Sequence, residues 1–580
     1  MNIITSLLKC GLLFLFFVCA TEQNLASQGT INTVFKRNNF NPILNKDDVQ
    51  KYKIIFNLQD YGKISEADDI IESLESNILV PYVLADRFVG PFYRTKRKEF
   101  EEWINNYKDY GVADKVVSVA KHKGMKVDDH KVSDNSQFLF MTHDVTLERI
   151  DPNLFPSSVR KDVAQFKKFA RRFKTKNASD ILDKIEGKLS LEQFYQLKSY
   201  LAFVYYLDGY LGLAEKLSVE ILDNHDTIYS HWVLGLIHYR QQNFTKSLYH
   251  FESLEKISKN YSTHYQASIF WQAVVLSRMD MSKRSKTKLK IIADKYPLSF
   301  YGMIANSSLK KTPKYIRRNV DKIKKNDMKW MIQFERGVRL LCLLQIGRFQ
   351  DADLELLKLV ELYGTEEFQV LFKFATEFNL PESSKQLAVI IKDDLSKKNE
   401  LYMLSYTRIP SVDVAVENVD RSLLLAIMRR ESRFNVKIKS RSGAMGLMQL
   451  LPSTVRFIVN KNDGEGIQHN HQLYLSKINI YIGSLFVDWT LKLSYVDYNL
   501  IKFLIAYNAG GGNLKKWEKH VKSDDPLILL ESIPSFQTRQ YIKYVIANYW
   551  MYKTGIKEDF DLENLLMGKH IFVPRNSDER

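Results

Sequence analysis

The stretch from Leu424 to Thr454, LLAIMRRESRFNVKIKSRSGAMGLMQLLPST, sets the reading of the whole chain. On a 3.6-residue period Leu424, Ile427 and Met428 share one stripe, which predicts a helix, and Glu431 falls further along the same stripe. Arg429 and Arg430 take the polar side. Upstream, Asp420 and Ser422 each stand where a side chain can cap the first turn. A carboxylate aimed at apolar neighbours loses hydration in its charged form, so its pKa rises and it can hold and donate a proton near neutral pH. Position alone leaves two readings open: a general acid, or a glutamate at the rim of a buried stripe with its head group in water.

After this helix, Gly443 and Gly446 flank small residues before an apolar run that begins at Leu447 and carries Gln449. Glycine allows close backbone approach, so this turn either brings peptide N–H groups and the Gln449 amide to a polar ligand or simply connects two helices. It is not a phosphate loop, because no Lys-Ser/Thr pair follows in register and no strand precedes it. Further on, FLIAYNAGGG over 503–512 reads as an apolar helix ending on Tyr507 and Asn508 before glycines release the chain. An aromatic face and an amide at a helix end suit sugar rings and N-acetyl groups; a capping role is the other reading.

At 580 residues the chain has room for several domains, and its hydrophobic content of 45% is ordinary for a globular protein. The first twenty residues differ: Lys9 precedes a short apolar run, Gly11 to Cys19, and Val18-Cys19-Ala20 offers small residues for cleavage, which reads as a signal peptide over 1–20. The run is shorter than the roughly 20 residues a membrane span needs. Cleavage after Ala20 leaves Cys342 as the one cysteine, so stability must come from packing without a disulfide. The net charge of +17 is spread along the chain. Its densest patch, Arg160 to Lys176, interleaves Val163, Phe166, Phe169 and Phe173 and predicts one amphipathic helix with a solvated basic face. No nucleic-acid recognition motif occurs. His469 and His471 are too isolated to argue for a metal and are expected in a solvated loop.

From about residue 55 to 400 helix follows helix, with no run of alternating strands. Ala202 is followed by Ala214 with Asp208-Gly209 between, then Gly235, Ser247 and Phe251 stand at matching offsets, and Gly347 with Ala352 repeats the later part. These positions resemble the small-residue contacts of tetratricopeptide-type helix pairs, which stack into a curved solenoid. Proline and short polar residues interrupt the pattern at YTRIPSVD, Tyr406 to Asp413, and place a domain boundary there.

Glu431-Ser432, Gly443-Ala-Met-Gly-Leu-Met-Gln449, Ala506-Tyr-Asn-Ala-Gly510 and Thr538-Arg-Gln-Tyr541 occur in this order, and together they resemble the soluble lytic murein transglycosylase family. PFYRTKRKEFEEW, Pro91 to Trp103, and Tyr296-Pro-Leu-Ser-Phe-Tyr-Gly302 resemble that family's helical superhelix. The resemblance implies an all-α protein. A U- or ring-shaped superhelix is expected over 21–405, a linker at about 406–417, a lysozyme-like catalytic domain over 418–556 and a tail over 557–580.

The resemblance also implies an activity: a peptidoglycan lytic transglycosylase in the periplasm, without cofactor or metal, acting on glycan strands with peripheral envelope association. Glu431 would be acid and then base, while Ser440, Met448, Gln449, Tyr507, Asn508, Gln537 and Tyr541 would line the glycan groove. One departure stands out: the family's usual Glu-Thr-Arg is Gln537-Thr-Arg539 here, which keeps hydrogen-bonding capacity and loses a charge. Two other functions remain open: a lysozyme-type hydrolase, which needs a second carboxylate to activate water, and a non-catalytic envelope scaffold built on the repeats.

Overall fold

The computed structural model describes residues 31–90, 92–125, 127, 150–258, 262–311, 322–364, 366–378, 380–390, 419–440, 442–461, 467, 469–555 and 560–574. The expected signal segment and the boundary at 406–413 lie outside them. The regular elements of the described residues are helices, joined by isolated antiparallel bridges at Lys439 with Met445, Met445 with Leu450, and Asn499 with Phe572. The protein is all-α. No described helix is long and apolar enough to cross a membrane.

The chain divides into two compact units, Met1–Phe138 with Lys314–Asp413, and Leu139–Pro313 with Val414–Arg580. In the first, Gln345 clasps the backbone of Leu44 through both its amide atoms, accepting from the peptide N–H at 3.0 Å and donating to the carbonyl at 3.1 Å. Beside that core the fully buried Glu355 accepts from Arg339 Nε at 3.1 Å and from the Tyr82 hydroxyl. A buried carboxylate survives only when paired and hydrogen-bonded in this way. Cys342 is a buried free thiol of the same unit.

The second unit is where the repeat is clearest. Helix Leu191–Leu207 pairs with Leu211–Leu222, Ile228–Arg240 with Phe244–Ile257, and Thr263–Arg278 with Ser282–Lys295. Ala202, Ala214 and Ala273 are fully buried, as helix axes that approach closely require. At Gly235 a Cβ would run into the Phe251 ring, so only glycine admits that contact. Ser247 Oγ donates to the Gly235 carbonyl at 2.8 Å, and Ser285 Oγ makes the same bond, also at 2.8 Å, to Ala273.

Each hairpin turns through one left-handed residue, Gly209, Gln242 or Asp280, and the next N–H reaches back to the last helical turn: Tyr210 to Tyr205, Asn243 to His238 and Met281 to Leu276, each at 2.9 Å. Gly347 makes this turn in the first unit, with Arg348 N–H on the Leu343 carbonyl at 2.8 Å. These are left-handed C-caps that satisfy otherwise orphaned carbonyls. One such turn breaks the single helix expected over Arg160 to Lys176. Phe173 sits at φ 54°, Lys174 N–H bonds to Phe169, and the segment becomes two helices, Arg160–Ala170 and Thr175–Ile185. The amphipathic reading holds for the first of them, with Val163, Phe166 and Ala170 buried. No glycine marks the turn in the sequence, which is why the periodicity ran straight through it.

The C-terminal helices of the second unit pack on these repeats. Tyr206 and Ser532 share a buried hydroxyl contact of 2.8 Å, and Tyr239 donates to Asp525 at 2.9 Å. Deeper in, Lys543 donates to Glu531 at 3.0 Å and to the Tyr301 hydroxyl at 2.9 Å, while Tyr301 donates to Glu531 at 2.7 Å.

Candidate active site

Helix Arg421–Glu431 is capped by Asp420, whose carboxylate accepts from Ser422 and Leu423 N–H at 2.8 and 3.2 Å; Ser422 is the recipient and not the cap. The helix has no solvent face to speak of: residues 422 to 429 are all buried, Arg429 among them, because the long helix Phe536–Gly555 packs along it. The polar side expected at Arg429 and Arg430 is therefore absent. The Arg429 guanidinium lies by the Tyr552 hydroxyl at 3.4 Å, and that of half-buried Arg430 covers the Tyr544 ring at 4.9 Å.

The helix ends on Glu431, and the chain then turns sharply through Arg433 and Phe434, both left-handed without being glycine. Ser432 Oγ supports the turn by donating to the Met428 carbonyl and accepting from Phe434 N–H. Backbone in this region stores strain that the surroundings must over-determine. The turn leaves the Glu431 side chain at the edge of the fold. The residue keeps some solvent contact, yet its carboxyl is densely enclosed by protein, and burial pushes its pKa up to about 7. The Tyr541 hydroxyl beside it and then the Arg430 charge pull in the other direction. Loss of hydration wins, so the group is poised between its two protonation states near neutral pH.

Tyr541 comes from helix Phe536–Gly555 and is 2% exposed. Its hydroxyl faces the Glu431 carboxyl and is the hydrogen-bonding group that draws the Glu431 pKa down, although the contact falls short of good geometry, so a ligand or water can also engage it. Tyr507, at the end of helix Leu500–Ala509, also feels the Glu431 charge. Its hydroxyl donates to the Met448 carbonyl at 3.0 Å. This bond ties the 443–449 turn to the tyrosine side of the site.

That turn is more built than its glycines suggest. Gly443 and Gly446 are left-handed, at φ 88° and 74°, and a Cβ on Gly446 would collide with the Leu473 carbonyl and the Asn479 amide. Fully buried Asn479 holds the turn from behind: it accepts from Met448 N–H at 2.8 Å and donates to the Met445 and Leu473 carbonyls at 3.0 and 2.8 Å. Gln449, itself left-handed at φ 49°, spends its amide nitrogen on the Ile438 and Gly446 carbonyls. Ser440 Oγ accepts from Ala444 N–H at 2.9 Å and so shapes the same turn. Met448 is fully buried, packed against Gly483.

Thus Glu431, Tyr541, Tyr507, Met448, Gln449 and Ser440 come together through described contacts. Asn508 is half-buried beside Tyr507. Gln537 is exposed in the first turn of its helix, one turn before Tyr541 on the same face, with no described contact to the cluster. An acidic residue at that place would be favoured by the helix N-terminus whatever it does for a substrate. Sequence reasoning missed Arg430 and Asn479. The second had a signal, a lone amide within the apolar run SKINIYIGSLFV; the first had none, since only packing shows which way it turns. His469 and His471 stack at 5.2 Å near the surface, and no group of metal-ligating side chains occurs among the described residues.

Because the Arg430 charge holds the Glu431 pKa down, Arg430→Met is expected to raise it. The descending limb of the pH–rate profile should move to higher pH by a fraction of a unit to about one unit. An unmoved limb would show that the two charges do not communicate.

Residues 414–528 match the family model described as "Transglycosylase SLT domain". The soluble lytic murein transglycosylase of Salmonella typhimurium is 28% identical over 294 residues, covering 50% of this chain and 44% of that protein. Its counterpart from Escherichia coli K12 is 27% identical over 293 residues, with the same coverage. The chain thus spans less than half the length of these curated relatives.

Among solved structures, the 70 kDa soluble lytic transglycosylase of Escherichia coli superposes with a TM-score of 0.59 at 17% identity, over 89% of this chain and 98% of that one. An inactive mutant of the lytic transglycosylase Slt from Pseudomonas aeruginosa gives 0.55 at 16% identity, over 95% and 93%. The fold is that of these all-α lytic transglycosylases. The chain carries a transglycosylase SLT domain, and its relatives are soluble lytic murein transglycosylases.

Proposed function

We propose that the protein is a lytic transglycosylase that cleaves the β-1,4 bond between N-acetylmuramic acid and N-acetylglucosamine in peptidoglycan and leaves a 1,6-anhydromuramic end. Glu431 starts protonated and gives its proton to the glycosidic oxygen as the bond to C1 breaks. As a carboxylate it then takes the proton of the muramic C6 hydroxyl, whose oxygen closes on C1. The neighbouring acetamido group can stabilise C1 in between, so one carboxylate suffices. The observation that carries this reading is the enclosed Glu431 with a pKa of about 7, since a group that serves as acid and then base needs both forms within reach. No second acid is among the groups that act on it within the described residues. Ser440, Met448, Gln449, Tyr507, Asn508, Gln537 and Tyr541 are assigned to holding the glycan, with Tyr541 beside the reacting carboxyl.

The same reading takes the chain to the periplasm by a cleavable segment over 1–20, with a superhelical part over 21–405 and a catalytic part over 418–556. Its partner is the glycan strand.

The experiment is digestion of purified sacculi in heavy-oxygen water. Attack by the C6 hydroxyl is intramolecular and has a large effective concentration over solvent. The products should therefore be almost wholly anhydro ends without label at C1. Substantial label in the first turnover products overturns the proposal in favour of a hydrolase. Complete absence of cleavage by the pure protein overturns it in favour of a scaffold. Because the reactive form is protonated, kcat/KM should also fall as pH rises through about 7.

A further inference from the structure

Residues 560–574 belong to the segment expected as a tail, and they are built into the fold at both ends. At the near end Leu562 N–H donates to Ser307 Oγ at 2.9 Å, Ser307 Oγ donates to Asp561 at 3.2 Å, and Lys310 pairs with Glu563 at 2.9 Å. These contacts fix the segment to the repeat helix Phe300–Ser308 and the turn after it, with Leu562, Leu565 and Leu566 buried. At the far end the chain runs antiparallel to the entry of helix Leu500–Ala509. Leu500 N–H donates to the Ile571 carbonyl and Val573 N–H to the Tyr498 carbonyl, both at 2.9 Å, with Asn499 and Phe572 opposed between them. Ile571 and Val573 are buried while Phe572 is 54% exposed, the alternation of a strand.

The pairing meets a need at that place. Asp497 and Tyr498 are both left-handed, at φ 46° and 58°, two successive residues with side chains in a region that is costly to occupy. Such a turn keeps its shape only when its surroundings over-determine it. In the helix that follows, Lys502 N–H goes to the Asn499 side chain at 3.1 Å, and Leu500 N–H has the Ile571 carbonyl as its partner. Leu500 is fully buried, so water is no substitute. The helix whose start is set in this way ends on Tyr507, which bonds to the Met448 carbonyl and feels the Glu431 charge. A short rigid helix carries a displacement of its first turn to its last. A purely structural role would make the segment one more stabilising contact; what goes beyond that is its address, at the start of the helix that delivers Tyr507.

We propose that Ile571 and Val573 are positioning residues for the reaction: by pairing with Tyr498 and Leu500 they set helix Leu500–Ala509 so that Tyr507 stays closed on the Glu431 carboxyl. This rests on the lytic function proposed above, and it adds that the site is completed by residues beyond 414–528, the part that matches the transglycosylase SLT model. When the pairing is lost, the Tyr498 carbonyl and Leu500 N–H are left without these partners, the turn at 497–498 relaxes and Tyr507 draws back. Water then reaches Glu431, and its pKa falls toward that of an ordinary glutamate, since burial is what raised it. The descending limb of the pH–rate profile therefore moves to lower pH, opposite to the shift expected for Arg430→Met.

The test is Val573→Pro in the full chain, because proline removes the N–H that bonds to Tyr498 and keeps an apolar side chain. The Glu431 carboxyl is followed by NMR of glutamates labelled at the side-chain carboxyl, with Glu431→Gln identifying its signal, so the titration is read whether or not the chain cleaves peptidoglycan. In Val573→Pro the titration and the descending limb on sacculi should both fall by about half a unit to one unit, with kcat lowered about tenfold and KM nearly kept. Val573→Ile, which keeps the N–H, should restore the wild-type titration. Leu289→Ala, which opens a cavity in the repeats, should lower the melting temperature and leave the titration in place. An unmoved titration in folded Val573→Pro, or an equal shift in Leu289→Ala, overturns the proposal and leaves the segment as a stabilising contact only. If Val573→Pro does not fold, Val573→Ala decides, since it keeps the bond and loosens the anchor: a smaller shift in the same direction supports the proposal and none overturns it. An unaltered chain that cleaves nothing overturns the lytic function, whereas the titration still decides whether this segment closes Tyr507 on Glu431.

Discussion

Replacing Glu431 by glutamine is expected to cut lysis of sacculi by on the order of 100-fold or more, and at the same time to make the protein more stable at alkaline pH. The amide has the carboxyl's shape but can neither give the first proton nor accept the second. The stability gain follows from the same burial that makes the acid useful. The folded pKa of Glu431 is raised from 4.5 to about 7, so the folded chain holds a proton that the unfolded chain releases. That contribution to stability is fully present below the unfolded value and is lost as pH rises through the folded one. Above pH 7 the wild type has forfeited up to about 3 kcal/mol relative to acid conditions. Glutamine carries no charge and forfeits nothing. Melting curves of both forms at mildly acidic and at alkaline pH check this: the difference should open only on the alkaline side. A variant that remains active, or one whose melt runs parallel to the wild type at both pH values, would remove Glu431 from its role as a desolvated acid.

Lys543→Met is expected to lower unfolding free energy by about 3 to 5 kcal/mol, because it leaves Glu531 charged and buried with Tyr301 as its remaining partner in the triangle. Truncating one member of a buried pair costs far more than the pair contributes. Adding Glu531→Gln should therefore recover a good part of the loss, and chemical denaturation of the two single variants and the double variant measures the coupling. Lys543 stands two residues from Tyr541 on the same helix, and Tyr301 belongs to the repeats. The triangle thus anchors the helix that brings the Tyr541 hydroxyl to Glu431. A loss under about 1 kcal/mol would mean that water reaches Glu531 and that the anchor is weak.

The fold was legible where periodicity and small residues carry it. Ala202, Ala214, Gly235 and Ser247 sit at the close helix contacts that their spacing predicts, because a repeated hairpin imposes the same steric demand at each turn. It was illegible at Phe173, where the same left-handed turn is made by a bulky residue and leaves no compositional trace. In the site, Glu431, the glycine turn and the two tyrosines were legible as motifs. Asn479 was visible only as an oddity in an apolar run, and the inward course of Arg429 was not visible at all.

What the sequence by itself determined is local: which segments are helical, where glycine must stand, and which side chains have the chemistry to hold a proton or a sugar, with the cap before Glu431 narrowed to Asp420 or Ser422. These follow from periodicity, backbone sterics and functional groups, all of which act over a few residues. What only the tertiary structure decided is the direction of the Glu431 pKa shift and the company the carboxyl keeps. A helix glutamate in water and one enclosed by Tyr541, Tyr507 and Arg430 read alike in the sequence. Desolvation and charge act through space: Tyr507 and Tyr541 stand more than seventy residues beyond Glu431 on other helices, and even the neighbouring Arg430 acts through the direction its side chain takes in the fold.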